Sequence, residues 1–219
     1  MRAHISALLT SILLAGCANM ASRTDTVEPV SAAAIEETGW RATIRPDDEA
    51  RLAELDRIWS DALALAEKHK AASLEKEAPF TQADGALDHP ALPPGSYRCR
   101  VIRLGAYANR RGFESFPPFF CYVKSDGPEH LSFLKQTGTD LPAGWLYHDE
   151  DANRLVFLGA QQDAPGENSL GYGAQPDRDI AGVVERVGPF QWRLVVPHSD
   201  PDGLDIYALT PVPAADQPD

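Results

Sequence analysis

After about residue 90, the spacing of apolar residues changes from that of a helix to that of β-strands. Short alternating segments, separated by turn residues, continue almost to the C-terminus. They predict about eight strands, at 96–104, 119–124, 131–135, 144–148, 154–160, 180–187, 191–196 and 204–210. Turn residues at 149–153 and at Gly188-Pro189 predict that two pairs of these strands form hairpins, 144–160 and 180–196. The chain is therefore expected to fold around antiparallel β-structure.

One helix is predicted before the strands. Pro46 suits the first helical position, and the acidic residues 47–49 lie where the helix dipole favours negative charge. Apolar residues at helical spacing indicate a face that packs on the core. These residues are Leu52, Leu55, Trp59, Ala62, Leu63 and Ala66.

The predicted fold class is α+β and mostly β, with the N-terminal helix followed by the antiparallel strands. We expect the strands to close into a small barrel, because closure removes exposed strand edges. An open antiparallel sheet covered by the helix is the alternative.

The N-terminus has the features of an export signal. Arg2 provides a positive start, and the ten largely apolar residues 5–14 are too few to span a bilayer, which needs about 20. Leu14-Ala15-Gly16-Cys17 resembles a bacterial lipobox. The resemblance implies that the chain is cleaved after Gly16 and that Cys17 carries the lipid.

This interpretation divides the chain into four parts. Residues 1–16 are the lipoprotein signal peptide, 17–38 a lipidated flexible tether, 40–211 a single helix-plus-β domain, and 212–219 a disordered tail. Ala18 follows the cysteine in place of Asp, which favours the outer membrane in enteric-type sorting. The expected location is the cell envelope, lipid-anchored at the periplasmic face of the outer membrane.

The charge balance limits the possible partners. The chain has 20 basic and 32 acidic residues, for a formal net charge of -12. Such a chain is a poor candidate for binding nucleic acid or an anionic bilayer by charge. No nucleic-acid partner is predicted, and we expect the lipid alone to hold the domain at the membrane.

The three cysteines have separate predicted roles. With Cys17 assigned to the lipid, Cys99 and Cys121 are expected to pair, because export leads to an oxidising compartment and both lie in neighbouring predicted strands. Closing a loop of about 20 residues would contribute roughly 3 kcal/mol in the chain-entropy model. A catalytic thiol is the alternative, although neither cysteine belongs to a CxxC motif.

Catalytic and cofactor motifs are not found in the sequence. There is no HExxH zinc motif or GxxxxGK[ST] phosphate loop, and Pro176 interrupts the glycine fingerprint that begins at Gly171. The turn at 149–153 resembles the start of a calcium loop, but position six is Arg154 where that loop requires Gly. No cofactor or metal is predicted, and no catalytic residue is assigned. His148 and His198 are the residues left for an acid–base or metal site.

The segment 106–118 is basic and aromatic on an otherwise acidic chain. Arginine and aromatic residues are common anchors of protein interfaces. The candidate binding residues are Tyr107, Arg110, Arg111, Phe113 and Phe116. The alternative is that the aromatic rings plug one end of the barrel.

A second charged group surrounds the predicted strand at 180–187. Its members are Arg178, Asp179, Glu185 and Arg186. They are expected to form a structural polar network, or alternatively to line a ligand cavity.

Several segments together are similar to one known family. They are residues 94–100, 135–139, 155–159, 179–188 and 192–194. They resemble domain of unknown function 4893, which occurs in exported proteins and lipoproteins of Gram-negative bacteria, and the likeness extends over roughly residues 40–211. The resemblance implies an envelope location but no activity and no functional residues.

The sequence therefore predicts a lipid-anchored, non-enzymatic binding module. The expected partners are the membrane, through the lipid, and an envelope protein or small apolar ligand. The alternative is a hydrolase-like or metal-assisted envelope enzyme with a histidine/carboxylate site. The oligomeric state is not predicted.

Overall fold

A computed structural model describes residues 39–108, 112–125, 127, 131–165, 171–199 and 201–217. It contains the helices α1 (Pro46–Ala53) and α2 (Leu55–Glu75). The strands are β1 (Gly95–Gly105), β2 (Phe113–Ser115), β3 (Phe119–Ser125), β4 (Leu131–Lys135), β5 (Pro142–His148), β6 (Arg154–Gln161), β7 (Asp179–Gly188), β8 (Gln191–Ser199) and β9 (Asp202–Pro211).

The strands form a closed antiparallel barrel. The chain passes through it in the order β1-β3-β4-β5-β6-β7-β8-β9, and β9 pairs with β1 from Gly203–Gly105 to Pro211–Tyr97. The short strand β2 pairs with residues 102–104 of β1, whereas β3 pairs with residues 95–99. The strands β2 and β3 therefore lie on the same side of β1, each beside a different part of its length. The predictions of a barrel and of the two hairpins are confirmed.

The helical region differs from the single predicted helix. The chain leaves helical geometry at Glu54, and α2 then continues to Glu75 with one non-helical residue, Lys70. Ile58 and Leu74, which lie outside the predicted stripe, are also buried. Both helices pack on the outer surface of the barrel, mainly against β1, β7, β8 and β9.

Successive strand residues point to opposite faces of the barrel wall. The buried side chains therefore form two hydrophobic clusters, one inside the barrel and one beneath the helices. In β1, Tyr97, Cys99 and Val101 point into the barrel, whereas Ile102 and Leu104 meet the helices. The barrel interior is filled by side chains, with the ring of Phe133 edge-on to those of Phe157 and Tyr207. Within the described residues, the two clusters extend from Trp40 to Leu209.

Three glycines on adjacent strands allow the interior to hold such large rings. A Cβ atom on Gly144 would lie 2.3 Å from Cα of Gly159, its partner on β6. A Cβ atom on Gly159 would lie 2.5 Å from the ring of Phe157, and one on Gly182 would lie 2.5 Å from a carbonyl oxygen of β8. These positions need glycine because no space is left for a side chain.

A buried arginine connects the barrel to the helical layer. Arg193 is fully buried, and its Nε donates to Glu185 at 2.6 Å. Its other nitrogens donate to the carbonyl oxygens of Phe80, Gln82 and Ala83, and the guanidinium lies 4.3 Å above the ring of Trp59. Such a charge is tolerated in the core because it is paired and its hydrogen bonds are satisfied.

Candidate functional site

The predicted disulfide is present. Cys99 and Cys121 lie on the adjacent strands β1 and β3, point into the barrel, and are joined with a Cα–Cα distance of 5.8 Å. The pair lies wholly inside the hydrophobic interior, where it closes a loop of sequence separation 22. Both thiols are therefore used in a structural bond. Cys17, the predicted lipid site, lies outside the described residues.

A charged cluster occupies the end of the barrel where β1 ends and β9 begins. Arg103 and Asp205 are cross-strand partners, and the guanidinium donates to both carboxylate oxygens, at 2.8 and 3.2 Å. His198 Nε2 lies 3.6 Å from Asp205 Oδ2. Burial raises the pKa of Asp205, but His198 and Arg103 outweigh that effect, so its pKa lies below the ordinary value. The carboxylate is thus held in its charged form.

Aromatic rings from the 106–118 segment cover this cluster. The ring of Tyr107 stacks on that of His198 with a centroid distance of 4.2 Å, and Arg103 lies over the rings of both Tyr107 and Phe116. Phe113 is buried against the helical cluster. Tyr107 and Phe116 therefore both contact the charged cluster at this end of the barrel. Arg110 and Arg111 lie outside the described residues.

The four charged residues around β7 do not form one network. Arg178 bonds to Asp163 and to a carbonyl of β6. Asp179 accepts from the backbone N–H of Gly173. At the other end of the strand, Glu185 pairs with the buried Arg193, and Arg186 donates to the carbonyl of Asp88. They act in separate local contacts because β7 extends along the full height of the barrel.

A cleft lies at the opposite end of the barrel from Tyr107. It has a volume of about 560 Å³, within the range of small-molecule sites. Its walls come from the segment before β1 and from the β5–β6 hairpin. Its lining residues are Asp88, His89, Pro90, Ala91, His148, Asp149, Asp151, Ala152, Arg154 and Leu155.

The chemistry of the cleft combines an apolar surface with acidic groups. Arg154 is paired with Asp149 at 2.5 Å, which leaves Asp88 and Asp151 as exposed carboxylates. The sequence had indicated His148 but not His89, which is separated from it by 59 positions in the chain. No pattern within residues 88–91 or 148–155 indicates that segments so far apart in the sequence form one cleft. His89, in the wall of the cleft, has a positive φ of 62°, which is an unusual conformation for a non-glycine residue.

No group of three or more histidine, cysteine or acidic side chains among the described residues has a geometry that could hold a metal ion. No helix among those residues is both long enough and apolar enough to span a bilayer.

The chain was compared with curated proteins, with solved structures and with models of protein families. Neither the comparison with curated proteins nor that with solved structures returned a match. The family model for domain of unknown function DUF4893 matches residues 40–209. This range covers both helices and nearly the whole barrel, and it is the family that the sequence resemblance indicated. The chain belongs to the DUF4893 family.

Proposed function

We propose that this protein is a lipid-anchored envelope protein, tethered through Cys17 at the periplasmic face of the outer membrane, and that its domain is a non-enzymatic binding module. The lipobox-like segment 14–17 supports the anchor. The cleft between residues 88–91 and the β5–β6 hairpin is the observation that supports binding. Because side chains fill the barrel interior, a ligand would bind in this cleft rather than inside the barrel.

The lining of the cleft indicates a class of ligand. Pro90, Ala91 and Leu155 offer apolar contact, while Asp88 and Asp151 place negative charge at the cleft. A small molecule with an apolar body and one amine would satisfy both parts, since burying the amine requires a counter-charge. A basic side chain of an envelope protein carries the same chemistry.

The binding test uses alkylamines of increasing chain length. Titration should shift the imidazole NMR signals of His89 and His148, with affinity rising with chain length, while His69 on α2 serves as the internal reference. Ala91→Trp should abolish the shifts by filling the cleft, and Asp151→Asn should weaken binding several-fold. Equal shifts at all three histidines, or shifts unaffected by Ala91→Trp, would reject the cleft as the site.

The anchor is tested by the mass of the N-terminal peptide. Protein extracted from membranes with detergent should begin at Cys17 and carry diacylglycerol and an amide-linked acyl chain. The Cys17→Ser variant should lack both groups. A mature chain with residues 1–16 still attached and no lipid would contradict the anchor proposal.

A second candidate function is an envelope enzyme using His198 and Asp205. The separation of 3.6 Å between the imidazole and the carboxylate favours this pair over His148. Two observations count against it: Arg103 already occupies both oxygens of Asp205, and Tyr107 covers the imidazole ring. A hydrolase screen in which His198→Gln removes an activity that Tyr107→Ala retains would favour the enzyme over the binding module.

A further inference from the structure

Phe190, at the tip of the hairpin between β7 and β8, has a conformation that its residue type disfavours. Gly188 pairs with Gln191 across the hairpin, so the turn consists of Pro189 and Phe190. Phe190 has a φ of 80°, and a positive φ at this second turn position is typical of a type II turn, where glycine or asparagine is preferred. A bulky residue at a positive φ is an outlier. The turn therefore contains a residue that costs stability.

Burial of the ring does not offset that cost. Phe190 is 74% exposed, which is the largest exposed fraction among the large apolar residues that the structure describes. Residues that break a local rule without a compensating contact in the fold occur mainly at functional sites. A contact with another molecule would account for a phenylalanine at this turn position.

A second exposed apolar residue, Leu87, lies beside the same hairpin. Its backbone N–H donates to the carbonyl oxygen of Arg186 at 2.8 Å, and Nε of Arg186 donates to the carbonyl oxygen of Asp88. Leu87 is 41% exposed. Arg186 lies four positions before Phe190, so their Cα atoms are at most about 14 Å apart. Because Asp88 also lines the cleft, the cleft and both apolar residues lie at one end of the barrel.

We propose that the cleft, Leu87 and Phe190 together bind an exposed segment of another envelope protein, in which a lysine or arginine lies close to an apolar side chain. The inference rests on the proposed function of the cleft and specifies a polypeptide as the ligand. The basic group would enter the cleft toward Asp88 and Asp151, and the apolar side chain would pack on Phe190 and Leu87. Aromatic residues are frequent anchors of protein interfaces, and complementary charges fix the register of the partner.

The separation of the two parts favours a polypeptide over a small amine. The cleft, with its volume of about 560 Å³, can hold a small molecule by itself. Neither Leu87 nor Phe190 is among the described residues that line it, so a small ligand in the cleft would leave both side chains in water. An extended peptide of four or five residues spans about 14 Å and can contact the cleft and the hairpin at the same time.

The test uses the purified full-length protein and an array of immobilised heptapeptides in a glycine–serine background. One varied position carries lysine, glutamate or serine, and the other carries phenylalanine, leucine or serine, at separations of zero to three residues. Peptides with both lysine and phenylalanine should bind at least about fivefold more tightly than peptides that lack either one. Ala91→Trp, which fills the cleft, should abolish this binding.

Phe190→Gly should have opposite effects on binding and on stability. It should lower the affinity for the lysine–phenylalanine peptides at least about fivefold, because the aromatic anchor is lost. It should raise the thermal unfolding midpoint by about 1–4 °C, because glycine adopts a positive φ without steric cost. Leu87→Ser should also weaken peptide binding. Phe120→Ser is the matched control: Phe120 is 45% exposed but lies on β3 in the barrel wall, so its loss should leave peptide binding unchanged.

Peptide binding that Phe190→Gly leaves unchanged, peptide binding that survives Ala91→Trp, or a lower unfolding midpoint for Phe190→Gly would each overturn the inference. Alkylamine shifts at His89 and His148 without peptide binding would keep the cleft as a small-molecule site and reject the polypeptide. If neither alkylamines nor peptides bind, both the proposed function of the cleft and this inference are wrong.

Discussion

Arg193 shows how much of this fold depends on a single polar side chain. One guanidinium holds the 80–83 segment, pairs with Glu185 and stacks on Trp59. The sequence around it looks like an ordinary strand with an outward charge. Only the packing of α2 and the 80–83 segment over β8 turns that position into a buried one.

We expect Arg193→Met to destabilise the domain by about 3–5 kcal/mol, because the carbonyl groups of Phe80, Gln82 and Ala83 would lose their donor and Glu185, whose side chain is only 12% exposed, would lose its partner. The double variant Arg193→Met/Glu185→Gln should recover part of that loss. Urea unfolding followed by circular dichroism measures both. A single variant within about 0.5 kcal/mol of the wild type would contradict this account of Arg193.

Asp205 should make stability depend on pH at the acidic end. Its pKa is lower in the folded chain than in the unfolded chain, where it is about 3.9, so the folded state binds this proton less readily. The stabilisation is present above that value and is lost as pH falls through the lower, folded-state pKa. Asp205→Asn should be less stable at neutral pH and should lose less stability as the pH falls below about 4. Asp177→Asn, an exposed aspartate, is the control and should follow the wild-type profile.

At the scale of elements, the strands were predictable and their contacts were less so. The eight predicted strands lie within the observed ones, because alternation and turn residues are local signals. The strand β2 was not predicted, since three residues carry too little pattern. The interruption at Glu54 was also missed, as no proline or glycine marks it.

Gly144 on β5 and Gly159 on β6 are cross-strand partners with no space between them for a side chain. Gly144→Ala should destabilise the domain by about 1–3 kcal/mol, because the added methyl would press on the backbone of Gly159. Ser132→Ala on the neighbouring strand, whose side chain points outward, should have a small effect. Thermal unfolding compares the two variants. Equal midpoints would show that the strands can separate without cost.

For the whole molecule, the helices and the outer side of the barrel share one hydrophobic cluster. A chain beginning at residue 76 should aggregate or unfold, since Ile102, Leu104 and Ile206 would lose the helices that cover them. Sedimentation velocity tests this. A monomeric, folded chain from residue 76 would show that the barrel is independent of the helices.

Local patterns in the sequence predicted the order of the helical region and the strands, the turns and the family, and the assignment of Cys17 to the lipid left Cys99 and Cys121 as the disulfide pair. Tertiary packing determines which of the outward strand positions become buried. The described helices cover the side of β7, β8, β9 and β1, which buries Arg193, whereas Phe120 on β3 and Trp145 on β5 are 45% and 42% exposed. The cleft likewise required residues 88–91 to meet residues 148–155. Strand alternation predicts which side chains point into the barrel and which point outward. Only three-dimensional packing determines what contacts the outward side chains.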